Sequence, residues 1–332
     1  MTSPDLAKPR RILVVALDNL GDLVFASALT PPLHAAFPDA TISIWSKSYT
    51  ADVARLVPHV SQVIHVDPFW GHASGTRRAP IAPALRSIAA MRAHRFDVAI
   101  LSAAPWRTAA AVAAARIPQR IGLARHRNRL FLTDVLPAED RHQPVLREQA
   151  RLLAPLGVHS TEPRYRLDAS RLGAAADVVR AALPERYVAL HPFASKRDRC
   201  VALAEWSRVA AALHDRGMPV LWIGTTRDLN ELREAGEHPP GYYADRIGGG
   251  ALAIGAAAMA GATLFAGHDS GPLHVAGAFG VPVVGVFAPG EPDRTFPQGV
   301  GPSRMIARPS PADISADDIL REIDALRILS AS

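Results

Sequence analysis

The chain has 332 residues, 48% hydrophobic and 20% charged, which excludes a disordered protein and leaves room for two α/β domains of ordinary size. A single cysteine, Cys200, excludes an intramolecular disulfide and a cysteine-based zinc site. The net charge of +6 is by itself no more than ordinary solubility charge, so any anionic partner must be sought in how the charge is distributed.

Met1–Arg11 is polar, and the apolar run Ile12–Leu17 behind it has six residues, too short for a membrane span. No later run is long enough either, so a soluble, cytoplasmic protein made without export is expected. Ile12–Leu17 reads as a central strand of a parallel sheet, Asp18–Asp22 as a turn, and Leu23–Phe37 as a helix that Pro31 and Pro32 kink or divide. Strands follow at Thr41–Trp45, Val63–Val66 and Val98–Leu101, with a helix at Ile81–Arg95 and a helical stretch at Gln143–Leu156. Arg116–Arg129, RIPQRIGLARHRNR, holds five arginines, one histidine and no acid. A linker is placed near Thr161–Ser170, giving domains of residues 1–168 and 169–332.

The alternation then restarts. Helices are predicted at Leu172–Leu183, Leu203–Arg216, Thr226–Ala235, Ile254–Ala260 and Pro272–Phe279. Strands are predicted at Tyr187–His191, Val220–Ile223, Thr263–Ala266 and Val281–Phe287. An amphipathic helix over Ser315–Leu329, with Ser315 as N-cap and Asp318 at the third position, closes the chain and can return to the first domain. Strands alternating with helices predict doubly wound parallel sheets.

Four strand ends carry groups suited to chemistry. In Asp18-Asn19-Leu20-Gly21-Asp22, Gly21 permits a tight turn and Asp22 is a candidate base, unless both carboxylates only cap the turn and helix. His191–Arg199 carries Ser195, Lys196, Arg197 and Arg199, fit for a diphosphate or for a solvated basic loop. Trp222–Asp228 offers Asp228 either to ribose hydroxyls or to the helix dipole. Gly267-His268-Asp269-Ser270-Gly271-Pro272-Leu273-His274 places a helix start, favourable to phosphate, directly after a strand; Asp269 or Ser270 can cap it, and Asp269 can instead hold a ribose hydroxyl. Trp70, His72 and Trp106 are loop residues that either line an acceptor site or sit partly buried. The spacing of His268 and His274 is not a metal-ligand pattern, so no metal is expected.

These motifs, in this order, resemble glycosyltransferase family 9, the ADP-heptose:lipopolysaccharide heptosyltransferases. The resemblance is carried by RRILVVALDNLGDLVFASALTPPLHAAFPDATISIW and FAGHDSGPLHVAGAFGVPVVGVFAPGEPDRTFP, with support from HPFASKRDRCVALAEW and LWIGTTRDLNEL. It implies a GT-B architecture, two Rossmann-like doubly wound domains facing a cleft, with the acceptor on the first and the nucleotide-sugar donor on the second. It implies Asp22 as catalytic base of an inverting transfer. Ser195, Lys196, Arg199, Asp228, Asp269, Ser270, Gly271 and His274 would bind the donor. Asp18, Asn19, Arg120 and Arg125 would face an anionic glycan or glycolipid acceptor. ADP-heptose is then a co-substrate, with no cofactor and no metal, and the enzyme can touch the inner membrane peripherally. The family often continues its basic loop with Trp-Pro, where this chain has Cys200-Val201-Ala202, so Lys196 and Ser195 share the role of Arg199. Asp18-Asn19 stand where many such enzymes carry small residues. The competing expectations are a transferase with another nucleotide sugar or a protein acceptor, a sugar-nucleotide epimerase, and a non-catalytic nucleotide or nucleic-acid binding module. The last lacks aromatics interleaved with its basic residues, so no nucleic-acid partner is expected.

Overall fold

A computed structural model describes residues 8–65, 81–103, 105–138, 142–235 and 241–329. Contacts divide the chain into two compact units, Met1–Pro163 and Arg164–Ser332, so the break falls shortly before the expected one at Asp168.

The central apolar runs form strands because both faces of each are covered, as in Ile12–Ala16, Ile42–Ser46 and Val98–Leu101, which are buried throughout. In the first unit, β1 (Arg11–Ala16) is followed by α1 (Leu20–Ala26), a 3-10 turn at Ser27–Leu29, α2 (Thr30–Ala36), β2 (Thr41–Ser46), α3 (Ala51–Ala54) and β3 (Val60–His65). Then come α4 (Ile81–His94), β4 (Val98–Leu101), α5 (Trp106–Ala114), β5 (Gln119–Leu123), β6 (Asp134–Leu136) and α6 (Val145–Arg151). The sheet order is β3-β2-β1-β4-β5-β6, parallel throughout. Leu13 and Val15 of β1 pack with Trp45, Ala99, Leu101 and Val112 in one buried cluster. At roughly 25 cal/mol per Å², that burial outweighs the weak local propensity of such short strands.

Several expectations shift here. The stretch read as one helix with prolines is split by the 3-10 turn, with Pro31 and Pro32 inside the first turn of α2, where a missing N–H costs nothing. Asp18–Asp22 is not wholly a turn: α1 begins at Leu20, so Gly21 has helical backbone and no positive φ. The helix read over Gln143–Leu156 stops at Arg151, ahead of Pro155 in a second 3-10 turn. Val66, Trp70 and His72 lie outside the described residues.

The second unit repeats the plan. It runs α7 (Ala174–Ala182), β7 (Val188–His191), α8 (Leu203–Asp215), β8 (Val220–Trp222), α9 (Thr226–Glu234), β9 (Tyr242–Tyr243) and α10 (Leu252–Ala260). It continues with β10 (Leu264–His268), α11 (Gly271–Ala278), β11 (Val283–Phe287), α12 (Pro292–Thr295), β12 (Ser303–Ala307) and α13 (Ala316–Ala325). The order β12-β11-β10-β7-β8-β9 is again all parallel. Gly267 is required where β10 meets β7, since a Cβ there would lie 2.8 Å from the His191 carbonyl oxygen. The closing helix ends at Ala325, earlier than read, with Ser315 and Asp318 forming the expected capping box. Its Ile319 and Ile323 enter the core of their own unit beside Trp206 and Ile306. No helix among the described residues is long and apolar enough to cross a membrane.

Candidate functional site

In both sheets the first strand is flanked by the second and the fourth, so the order reverses there. Ligands of open α/β sheets bind outside the carboxyl ends of the strands at that point. In the first unit the place lies above β1 and β4, in the second above β7 and β10.

Above β1, Asp22 is the third residue of α1, and its Oδ2 accepts the Asn19 N–H at 3.1 Å. One carboxylate thus closes the helix start and stands half-buried at the strand end. Asp18 is half-buried and Asn19 exposed. Lys47, only 4% exposed, follows β2, and the register Ala16–Ser46 sets it beside Leu17. Sequence reading missed this cation, because nothing in its neighbours announces that a lysine is buried. Above β4, the buried Gln149 of α6 donates from Nε2 to the Ser102 carbonyl at 3.4 Å.

The two acceptor arginines divide. Arg120 donates from Nε to the Phe131 carbonyl at 2.6 Å, and from one terminal nitrogen to the carbonyls of Ile117 at 2.6 Å and Pro118 at 3.1 Å. Its guanidinium ties β5 to the loop before β6 and is not brought to the β1 end. Arg125 is half exposed and lies 3.8 Å from Glu148, which is buried on α6 next to Gln149. The structure therefore brings Arg125 toward the β4 end.

Above β7, the basic loop is braced. Arg197 pairs with Asp228 at 3.3 Å and with Glu231, and lies over the Phe193 ring. Lys196 is exposed, Arg199 half-exposed, and neither forms an ion pair among the described residues. Ser195 is exposed beside them. Asp228 caps α9: its Oδ2 accepts the Thr225 N–H at 3.1 Å and the Thr225 hydroxyl at 2.6 Å. Both its oxygens are engaged within the protein, the arrangement expected of a helix-start carboxylate.

Above β10, Ser270 is the N-cap residue of α11, but its hydroxyl donates to the His268 carbonyl at 3.0 Å, and no side chain caps that helix. Asp269 accepts the Thr295 hydroxyl at 3.1 Å on Oδ2, and its Oδ1 lies 3.4 Å from His274 Nε2. The other ring nitrogen of His274 is 3.2 Å from the hydroxyl of Tyr165, a fully buried residue. The backbone N–H groups of Gln298 and Gly299 donate to that phenol oxygen, while burial pushes the phenol's pKa up, so the proton stays on it. Tyr165 thus holds one side of the His274 ring, and the opposite ring nitrogen faces Asp269. Gly299 permits this, since a Cβ there would fall 2.0 Å from the Gly277 carbonyl oxygen. Tyr165 had been read as part of the linker.

His268 faces the other way. Its Nε2 accepts the Val201 N–H at 3.2 Å, tying the basic loop to β10, and its ring meets Trp206 edge-on. Burial, with His191 nearby, pushes its pKa down to about 3. His191 is likewise held neutral by burial, and its Nδ1 donates to the Ile223 carbonyl at 2.9 Å. The two histidines of the 267–274 motif thus serve different contacts and do not converge.

Residues 84–311 match the family model for glycosyltransferase family 9 (heptosyltransferase), a span that includes the basic loop and the Asp269–Ser270 turn and begins after Asp22. A lipopolysaccharide heptosyltransferase 3 from Escherichia coli is 26% identical over 292 residues, covering 83% of this chain and 82% of its own length. The crystal structure of a family 9 glycosyltransferase from Veillonella parvula DSM 2008 superposes with a TM-score of 0.81 at 19% identity, over 97% of this chain and 98% of its own. The structure of E. coli heptosyltransferase WaaC with ADP superposes with a TM-score of 0.73 at 19% identity, over 95% and 99% of the two chains.

Proposed function

Since the chain belongs to glycosyltransferase family 9, we propose that it transfers heptose from ADP-heptose, with inversion, to a hydroxyl of a lipopolysaccharide core. The observation that carries this is the end of the second sheet. Two cations without acidic partners among the described residues, Lys196 and Arg199, share the β7–β10 switch point with a helix start that no side chain caps. A diphosphate needs that combination of mobile cations and fixed N–H groups. The ADP held by a structurally similar heptosyltransferase supports the same base.

In the proposed reaction Asp22 accepts the proton of the acceptor hydroxyl as its oxygen bonds to the anomeric carbon. The bond from that carbon to the β-phosphate oxygen breaks, and ADP leaves with the electron pair. Lys196, Arg199, Ser195 and the N–H groups near Ser270 and Gly271 meet the charge that develops on the leaving phosphate. Asp269, aligned by His274 and Thr295, completes the donor site, and Asp228 orients the loop through Arg197 while flanking the ribose. Asp18, Asn19 and Arg125 receive the acceptor, with Arg120 tying β5 to the loop before β6 and the buried Lys47 adding positive charge at the same end of the sheet as Asp22. With cations present at the donor loop, transfer is expected to proceed without an added metal. A core acceptor is lipid-anchored, so the same reading places the enzyme peripherally at the inner face of the membrane.

Thermal stabilisation by ADP, UDP, GDP and dTDP, alone and as their sugars, tests the donor. A ligand at a hundred times its Kd stabilises by about 2.7 kcal/mol. A shift with ADP species alone, lost in Asp269→Ala and kept in Asp22→Ala, is the expected result. A shift with a different nucleotide alone would discard ADP-heptose, and none at all would discard the donor site.

A further inference from the structure

The basic stretch Arg116–Arg129 is only partly used by the site above. Its last residues form a 3-10 turn, His126–Leu130, after β5. Strands β4 and β5 are neighbours and parallel, so this turn and the start of α5 leave the sheet at one edge, the edge where Asp18–Asp22 follow β1. Leu130 is 80% exposed and Trp106, at the first position of α5, 40% exposed. The two belong to one patch: Trp106 stacks with Phe131 at 6.4 Å between ring centroids, and Arg107 lies 4.8 Å over the Trp106 ring. Arg127 and Arg129 project from the same turn and are exposed. Neither they nor Arg107 forms an ion pair among the described residues.

We propose that Trp106, Arg107, Arg127, Arg129 and Leu130 form a docking surface for an anionic phospholipid bilayer. The proposal rests on the peripheral attachment suggested above and gives it a location. An aliphatic side chain this exposed gains from the acyl boundary, an amphipathic indole from the headgroup level, and arginines from lipid phosphates while their stems cover apolar surface. A nucleic acid would use the arginines but gains nothing from Leu130. The Trp106 ring, already in contact with Arg107 and Phe131, is poorly placed to stack a base. The patch lies at the sheet edge that carries the proposed acceptor groups, so docking there would bring a lipid-anchored acceptor to them.

The test is flotation of the full chain with phosphatidylcholine vesicles and with vesicles containing about 30% phosphatidylglycerol, at low and high salt. Binding to the anionic vesicles alone, weakened by salt, is expected. Replacing Arg127 and Arg129 by Glu should cost at least about 30-fold in partitioning, at roughly a tenfold per 1.4 kcal/mol and about 1 kcal/mol per cation. Leu130→Ser should cost about tenfold, the value of one buried leucine side chain. Absence of binding by the parent protein, unchanged partitioning of both variants, or tighter binding of an RNA or DNA oligonucleotide than of the vesicles would each overturn the proposal. Stabilisation by ADP is measured on the same variants. If it persists while vesicle binding fails, only the docking surface is lost; if vesicle binding stands and ADP has no effect, only the donor reading is lost.

Discussion

Replacing Tyr165 by Phe removes one oxygen and leaves three groups to find new partners. These are the N–H groups of Gln298 and Gly299 and the Nδ1 of His274, 3.2 Å away. Each buried polar group left unsatisfied costs about 1–3 kcal/mol, and partial relaxation brings the sum to roughly 2–4 kcal/mol. For a unit the size of Arg164–Ser332, at about 2–4 °C per kcal/mol, melting should fall by roughly 5–15 °C. Stability alone would say only that a buried tyrosine packs well. The sharper expectation concerns ADP, measured by calorimetry well below the melting range. Tyr165 holds the His274 ring with Nε2 3.4 Å from Asp269, so its loss should release that alignment and weaken ADP by about tenfold, the worth of one hydrogen bond to a charged group. His274→Ala should cost a similar factor, and the double variant no more than either alone, because both changes act on one chain of contacts. ADP affinity unchanged in Tyr165→Phe, or losses that multiply in the double variant, would refute the chain.

Two further outcomes follow from the second unit. Lys196→Ala and Arg199→Ala should each weaken ADP tenfold or more by calorimetric titration, at about 1.5–3 kcal/mol per hydrogen bond to a charged group; affinities within a factor of two of the parent would remove the basic loop from the donor site. Stability should fall with acidity between about pH 6.5 and 3, since the unfolded chain protonates His268 at its ordinary pKa of 6.5 while the folded chain resists to about 3. The unfolded state then binds the extra proton, giving a slope of about 1.4 kcal/mol per pH unit, and His191, also held neutral by burial, adds in the same direction. Denaturant midpoints across that window should be flatter for His268→Gln than for the parent.

The strand ends were legible in the sequence because each joins an apolar run to a Gly, Asp or cationic turn, two signals that coincide within a few residues. The edges of the sheets were not. Gln119–Leu123 forms β5 inside a stretch whose arginines draw attention to charge, and Asp134–Leu136 and Tyr242–Tyr243 are too short to show a period. Trp106–Ala114 has a proline at its N-cap and no side-chain cap, so nothing marked its start. Tyr165 was hidden for a different reason. Its partner His274 is 109 residues away, and the buried hydrogen bond exists only once the 298–301 loop closes on α11. Burial also hid Lys47, and the cap formed by Asp228 with Thr225 was readable only as one of two alternatives.

One backbone plan, used twice, carries different side chains at its two switch points. Strand order and parallel sense are alike in both units, so the difference must come from the residues placed after the strands, not from the order of the strands. After β1 the chain sets carboxylates, with one of them completing a helix start by its own backbone bond. After β10 it sets a helix start whose N-cap hydroxyl is turned back to the strand, and after β7 a loop whose central arginine is consumed by Asp228 and Glu231. That bracing fixes the loop and leaves Lys196 and Arg199, on either side of Arg197, with their charge available. In the proposed reaction, a carboxylate that takes a proton and a site that holds a diphosphate would disturb each other on one sheet edge. Distributing them between two units lets each keep the field its task requires.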